Sequence, residues 1–391
     1  MANINVSTMA SKREIRFVLI ASHSESILNF RRNLIVDLQK HSVNINVLIP
    51  KSYNVEDKVI RNKIEKIGVT VHEIRLNRTS LNPITNLISF VDIFIKLWRI
   101  RPTHVLSYTI KPVIYGTLAA KFLKIKHRFA LITGLGMTFN DDVGIKNKII
   151  FFFVKRFYRL SLKNSKKVFF QNPDDMKLFQ DNRIVNQSQS LLVNGSGVDL
   201  DYYYCSDIPN KLSFLLMARL LNSKGVRYYF EAAKNIKSLN PDIEFAIAGK
   251  IDILNKDSIS IDDIKSWVEC GVINYYGHLS DVRKAIERCS VFVLPSFYRE
   301  GIPRSILEAM SMGRAIITTN TPGCKETVIH GKNGYLIAPK SICELESAIT
   351  KFINQPSIAR KMGIESRVMA KEKFDVHKVN SILLDAMDIT R

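Results

Sequence analysis

The chain has 391 residues, 46% hydrophobic and 24% charged, enough for two ordinary domains that each bury a core. No apolar run reaches the roughly 18 to 20 residues that cross a bilayer as a helix, and five cysteines, odd in number and without CxxC spacing, argue against a disulfide framework or a zinc site. Lys and Arg number 57 against 36 Asp and Glu, and the net charge of +21 requires polyanionic company. Nucleic acid loses ground, because the cations are spread along the chain and no zinc-finger, RRM or basic-zipper pattern occurs. Anionic lipid and phosphorylated substrates remain.

The opening MANINVSTMASKREIRFVLI has a short apolar stretch after its charges, too short for a signal-peptide core and better read as a first strand, so the protein is expected to stay in the cytoplasm. From Ile15 short β-rich runs alternate with helical patterns: IRFVLI (15–20), a helix over 26–40, INVLIP (45–50), a helix over 56–67, then THVLSY (103–108). The stretch KNKIIFFFVKRFYRLSLKNSKK (146–167) interleaves Phe151, Phe152, Phe153, Phe157 and Tyr158 with Lys155, Arg156, Arg159 and Lys163. It reads equally as a helix on an anionic membrane surface and as a core helix with a solvated basic edge. A Gly-Ser-Gly turn within 191–206 interrupts the rhythm, which restarts at LSFLLMA (212–218). It continues through a helix over 223–238, EFAIAG (244–249), a helix over 259–269, VINYYG (272–277), a helix over 281–289, VFVLP (291–295), a helix over 304–312, AIITT (315–319) and GYLI (334–337), and is helical from 341.

This is the rhythm of βαβ units and parallel sheets. The expected fold class is α/β, two Rossmann-like doubly wound domains facing across a cleft. The first covers 1–195, 196–210 is a linker, the second covers 211–372, and a helix over 373–391 is expected to pack back on the first. Ligands of such folds sit at the C-terminal ends of the strands.

Two strand-to-helix turns carry candidate chemistry. In MARLLNSKGV, Arg219 follows a strand, Ser223 fits an N-cap, and Lys224 and Gly225 open the next helix. Two cations on a helix N-terminus suit a diphosphate; two solvated surface cations would leave the same pattern. In SFYREGIPRSILEAMSMGRAI, Pro303 fits the first helical position and Gly313 the C-terminal cap, with Glu300 before the helix and Glu308 inside it. A carboxylate accepts from vicinal hydroxyls, so one acid can grip a ribose and the other a hexose. Acids placed for the helix charge alone would look alike.

Together ARLLNSKGV, AGK, YGHLSDV, SFYREGIPRSILEAM, PGCKE, SYTIKP, ITGLG and GSGVDL resemble the retaining glycosyltransferases of family 4, which have the GT-B fold. The version with TIKP, TGLG and PGCKE is similar to bacterial enzymes that extend undecaprenyl-diphosphate-linked sugars in O-antigen, capsule or glycan assembly. The resemblance implies that Arg219 and Lys224 bind the donor diphosphate, Glu308 the ribose and Glu300 the transferred sugar. By it Gly301, Ile302 and Pro303 present amides, Gly249, Lys250 and His278 complete the donor site, and Glu300, Arg219 and Lys224 carry catalysis. Acceptor binding falls to Ser24, Arg31, Thr109, Lys111, Gly134 and Gly136. The implied activity is transfer of a hexose or N-acetylhexosamine, from a UDP-linked donor, to a polyprenyl-diphosphate-linked saccharide by a peripheral enzyme at the inner face of the membrane. No cofactor is expected, since side-chain cations replace metal at the diphosphate. Asp199 and Asp201 match D-x-D, but they sit in the linker. The first loop, ASHSESILNFRRNL, lacks the glycines many relatives carry, and His104 starts a strand, so it is given no catalytic role. A sugar-nucleotide epimerase on the same architecture and a non-catalytic glycan- or lipid-binding protein are the alternatives.

Overall fold

The structure is a computed structural model and describes residues 14–53, 55–77, 80, 82–136, 145–252 and 255–390; the opening stretch 1–13 and the Phe151 side chain lie outside the described residues. The chain divides into two compact units, Met1–Phe129 with Met387–Arg391, and Ala130–Ala386.

In the first unit β1 (Arg16–Ile20), β2 (Asn44–Pro50), β3 (Thr70–Ile74), β4 (His104–Tyr108) and the start of β5 (His127–Ile132) alternate with α1 (Arg32–Lys40), α2 (Val55–Glu65), α3 (Pro83–Ile100) and α4 (Ile110–Phe122). β1 pairs parallel with β2 and with β4, and β2 with β3. Parallel strands covered on both faces need continuous apolar runs, and Phe17 to Ile20 are all fully buried. The helix expected over 26–40 opens instead with one wide π-type turn, Ile27–Arg31, before α1.

The second unit continues with α5 (Ile145–Leu162), β6 (Lys167–Phe170), α6 (Pro173–Asp181), β7 (Ser190–Leu192), β8 (Ser213–Met217), α7 (Val226–Leu239), β9 (Glu244–Ala248), α8 (Ile261–Glu269) and β10 (Asn274–Tyr275). It closes with α9 (Arg283–Glu287), β11 (Val291–Leu294), α10 (Arg304–Ser311), β12 (Ala315–Thr319), β13 (Gly334–Ile337), α11 (Ile342–Asn354), α12 (Ser357–Lys373) and α13 (Val376–Ala386). The strand expected over 272–277 shrinks to two residues at a sheet edge.

The two sheets run β3-β2-β1-β4-β5-β6-β7 and β10-β9-β8-β11-β12-β13, both of the doubly wound kind. Strand order reverses between β1 and β4 in one and between β8 and β11 in the other. Loops leaving those strands splay to opposite sides, which opens a crevice at each reversal. The second sheet is sealed by α7 and α11 on one face, with Tyr229, Ile236, Leu345 and Phe352 in its core, and by α10 on the other, with Ile306 and Met310.

Within the linker expected over 196–210, Val198 exchanges backbone hydrogen bonds with Phe374 and Val376 at 2.7 and 3.1 Å. The Asp199 carboxylate accepts from the N–H groups of Asp201 and Tyr202, which uses it as a turn former. Among the described residues no helix is long and apolar enough to cross a membrane.

Candidate functional site

The two turns at the β8/β11 reversal meet. After β8 the chain makes a single 3-10 turn, Asn222–Lys224, and Gly225 at φ +77° caps α7 with no side-chain bond. Ser223 is therefore not the N-cap expected of it. Its hydroxyl and N–H both donate to Asp257, and its carbonyl accepts from the N–H of Phe297 at 2.9 Å and of Tyr298 at 3.1 Å. A Cβ at Gly225 would strike the Pro295 carbonyl, so only glycine lets the two turns approach this closely.

That approach brings Lys224 Nζ to 2.6 Å from Glu300 Oε2, with each side chain only 12% exposed. Ser296 Oγ donates to the other oxygen, Glu300 Oε1, at 2.8 Å, and Lys224 also lies 5.3 Å over the Tyr298 ring. A cation and a carboxylate so placed can serve a ligand with phosphate at one end and hydroxyls at the other.

Glu308 is buried one helical turn into α10. Its Oε1 accepts from Tyr203 Oη and from Arg304 Nε, both at 2.8 Å. Burial, with the Glu308 charge second, pushes the Tyr203 phenol far up, so it stays a donor. The helix starts at Arg304, as expected, but Pro303 is its N-cap rather than its first helical residue. Proline has no N–H, and the Ile302 N–H goes to Gln171 Oε1 at 3.4 Å, so of the three amides expected at 301–303 only that of Gly301 adds to the first-turn donors of α10.

The remaining donor candidates line up beside this centre. Arg219 leaves β8 42% exposed, with Nη1 3.9 Å from Asp252 Oδ2. Gly249 donates its N–H to the Gly277 carbonyl at 2.8 Å, and the Lys250 carbonyl accepts from Leu220 at 3.1 Å, so the loops after β8, β9 and β10 lie side by side. Lys250 and His278 are exposed at their ends.

The loop 299–302 is braced by residues that sequence reasoning did not single out. Asn172 Nδ2 donates to the Glu300 carbonyl at 3.1 Å, and Arg299 Nε to the buried Asp175 at 2.8 Å. Burial raises the Asp175 carboxyl above the ordinary carboxylate value, with Arg299 pulling the other way. Gly134 and Gly136 belong to this brace: a Cβ on Gly134, at φ +103°, would run into the Gly301 amide, and the Gly136 N–H donates to the Arg299 carbonyl at 3.0 Å. Asn172 carried one readable signal, an Asn-Pro step that caps α6.

The other four acceptor candidates lie in the first unit at the β1/β4 reversal. Ser24 is buried, Arg31 sits 5.1 Å over the Tyr108 ring, and Thr109, at φ +68°, donates to Ser22 Oγ at 2.8 Å. Ser26 Oγ shares a hydrogen bond with Tyr108 Oη at 2.7 Å, and burial pushes that phenol up to about 12. Lys111 is committed elsewhere: its ammonium donates to the carbonyls of Asn77 and Ser80 and to Asn86 Oδ1, and burial lowers its pKa.

Two parallel doubly wound sheets, the second with a nearly buried cation and carboxylate joined across its strand reversal, are the architecture of the GT-B class of glycosyltransferase. Comparison with known proteins places the chain within it. Residues 207–369 match the family described as glycosyl transferases group 1, and 18–172 match glycosyl transferase 4-like. The chain belongs to the glycosyltransferases that join these two domains. It is 27% identical over 358 residues to the N,N'-diacetylbacillosaminyl-diphospho-undecaprenol alpha-1,3-N-acetylgalactosaminyltransferase of Campylobacter jejuni, covering 88% of this chain and 91% of that protein. Among solved structures, Anabaena Alr3699/HepE in complex with UDP and glucose superposes with a TM-score of 0.75 at 14% identity, covering 96% of this chain and all of that one. A glycosyltransferase from Rickettsia africae does so at 0.75 and 16%, covering 97% and 99%. At such identities these two establish the fold alone.

Proposed function

We propose that this glycosyltransferase moves a hexose or N-acetylhexosamine, with retention, from a UDP-sugar to a polyprenyl-diphosphate-linked saccharide in bacterial surface-glycan assembly. The observation that carries the reading is the Lys224–Glu300 pair at the β8/β11 reversal, with Arg219 on the same edge. Lys224 and Arg219 would hold the diphosphate together with the first-turn amides of α10. Glu300 would then exchange its contact with Lys224 for the hydroxyls of the transferred sugar. Glu308, whose two contacts fall on Oε1, would offer Oε2 to the ribose diol. The similarity to a transferase named for an undecaprenol-diphosphate acceptor supports the lipid-linked class.

Retention without a protein nucleophile at the reacting carbon is met by front-face attack. The acceptor hydroxyl bonds to the anomeric carbon as the carbon–oxygen bond to the diphosphate breaks, and the leaving phosphate oxygen takes the hydroxyl proton. The side-chain cations and helix amides stabilise the charge that grows on the departing diphosphate.

Attachment to the inner membrane surface is part of the same proposal. α5 turns Tyr158 and Leu162 inward and leaves Phe152, Phe153, Phe157 and Leu160 exposed beside Arg156 and Lys163, the mixture expected of a helix at a headgroup boundary. Lys155 and Arg159 instead hold residues 182–183, so they are poor members of a membrane-binding set.

The test is incubation of the purified protein and bacterial membranes with radiolabelled UDP-, GDP- and ADP-sugars. Label from a UDP-sugar in the lipid extract, with anomeric configuration preserved, is the expected result. An altered free nucleotide sugar would indicate an epimerase, and no change in any pool a binding protein.

A further inference from the structure

α3 was not apparent in the sequence rhythm, and it faces the wrong way for a soluble helix. Ile84, Leu87, Ile88, Val91, Ile95 and Trp98 are exposed, Ile84 by 70%, Leu87 by 62% and Trp98 by 57%. At 3.6 residues per turn they fall within an arc of about 100°, opposite the buried Ser89, Ile93 and Leu97. No polar residue shares that arc, which runs about 21 Å along the helix. Phe122, at the end of α4, is 63% exposed and joins α3 through an edge-on contact with Phe90 at 6.2 Å. A contiguous apolar surface beyond a few hundred Å² on a water-soluble chain marks a place where something else docks.

The surrounding charge selects the occupant. Residues 83–126 hold seven Lys or Arg and one acid, Asp92, whose carboxylate accepts from the Arg75 N–H at 2.7 Å. Arg99, Arg101, Lys124 and Lys126 are exposed. Trp98 and Arg101 line, with Lys124 and Lys126, a cavity of about 490 Å³ in which Glu14 is the one acid among the described residues. A second copy of a chain at +21 would bring like charge against these cations, whereas an anionic leaflet neutralises them and takes the apolar stripe below its headgroups.

We propose that the outer face of α3 docks this protein on an anionic phospholipid bilayer, with Ile84 to Trp98 in the acyl boundary and phosphate headgroups at Arg99, Arg101, Lys124 and Lys126. The purpose of this surface rests on the lipid-linked acceptor proposed above; the binding itself does not.

The chain has two tryptophans, and the other, Trp267, is buried against Phe230 at 4.3 Å, so quenching by brominated acyl chains reports Trp98. The full chain is mixed, without donor or acceptor, with phosphatidylcholine vesicles and with vesicles of about 30% phosphatidylglycerol. Expected are at least tenfold stronger flotation with the anionic vesicles, quenching of Trp98 by brominated lipid, and tenfold weaker flotation of the Leu87→Gln, Val91→Gln, Ile95→Gln triple variant. These positions are exposed, so the variant is expected to melt like the wild type. Unquenched Trp98 emission on bound protein, or a triple variant that floats like the wild type, overturns the proposal. So does a lipid-free dimer that the triple variant abolishes, which would make the face a self-interface. Failure of sugar transfer in the labelling assay leaves each of these readouts unchanged.

Discussion

Lys224→Met, Glu300→Gln and their combination probe the pair at the centre of the site. Their charges stand 2.6 Å apart with each side chain 12% exposed. At an effective dielectric of about 20 the gross attraction is about 6 kcal/mol, and the desolvation of two ions takes most of it back. The net worth of the pair is therefore small, but the cost of breaking it on one side is not. Either single change strands a nearly buried charge and should cost about 3 kcal/mol, the low end of the range because a little exposure remains. Removing both charges relieves both penalties, so the double variant should lose no more than either single one, a coupling of about 3 kcal/mol. Urea unfolding followed by Trp267 emission in a Trp98→Phe background reads the second unit alone, since Trp267 is part of its core. In parallel, Lys224→Met should lower kcat and raise the donor KM together, with kcat/KM down about 10- to 150-fold, the equivalent of a charge-assisted contact of about 1.5 to 3 kcal/mol. Single-variant effects that add within about 0.5 kcal/mol would refute the buried-pair argument, and unchanged kinetics would remove Lys224 from the donor site.

Gly301→Ala should lose donor binding and about 1 to 3 kcal/mol of stability, because its Cβ would strike Gln171 Oε1 and come within 2.8 Å of the Thr133 carbonyl; calorimetry with UDP-sugar and a thermal melt check this. Gly323→Ala, at φ +82° and against the Gly301 carbonyl, should be worse. Burial, with Lys96 second, lowers the His72 pKa below 6.5. The unfolded chain then binds more protons in that window, so stability is full above about pH 6.5 and falls as pH drops below it. The neutral ring shares a 2.8 Å hydrogen bond with Asn46 Oδ1, and His72→Gln should flatten the melting temperature between about pH 5 and 6.5 if the account is right. Treatment with EDTA should leave sugar transfer intact, since Lys224 and Arg219 supply the positive charge at the diphosphate; loss of activity restored by Mn²⁺ or Mg²⁺ would contradict that assignment.

Local patterns in the sequence carried the α/β alternation, because a parallel strand buried on both faces must be a continuous apolar run and its crossover helix must show a longer period. They also carried the order Arg219, Lys224, Glu300, Glu308, because turn and helix signals surround each of those residues. Which of them touch was a matter of strand order alone: β8 and β11 are neighbours in the sheet though some 75 residues apart in the chain, and that adjacency joins Lys224 to Glu300. Tertiary structure likewise spent Lys111 on three oxygens of its own unit and gave Glu308 two partners, Tyr203 and Arg304, of which Tyr203 lies 105 positions away. The apolar face of α3 was invisible for the same reason. A helix with apolar residues on two opposite sides reads from sequence as a buried one, and only the packed fold reveals which side was left uncovered.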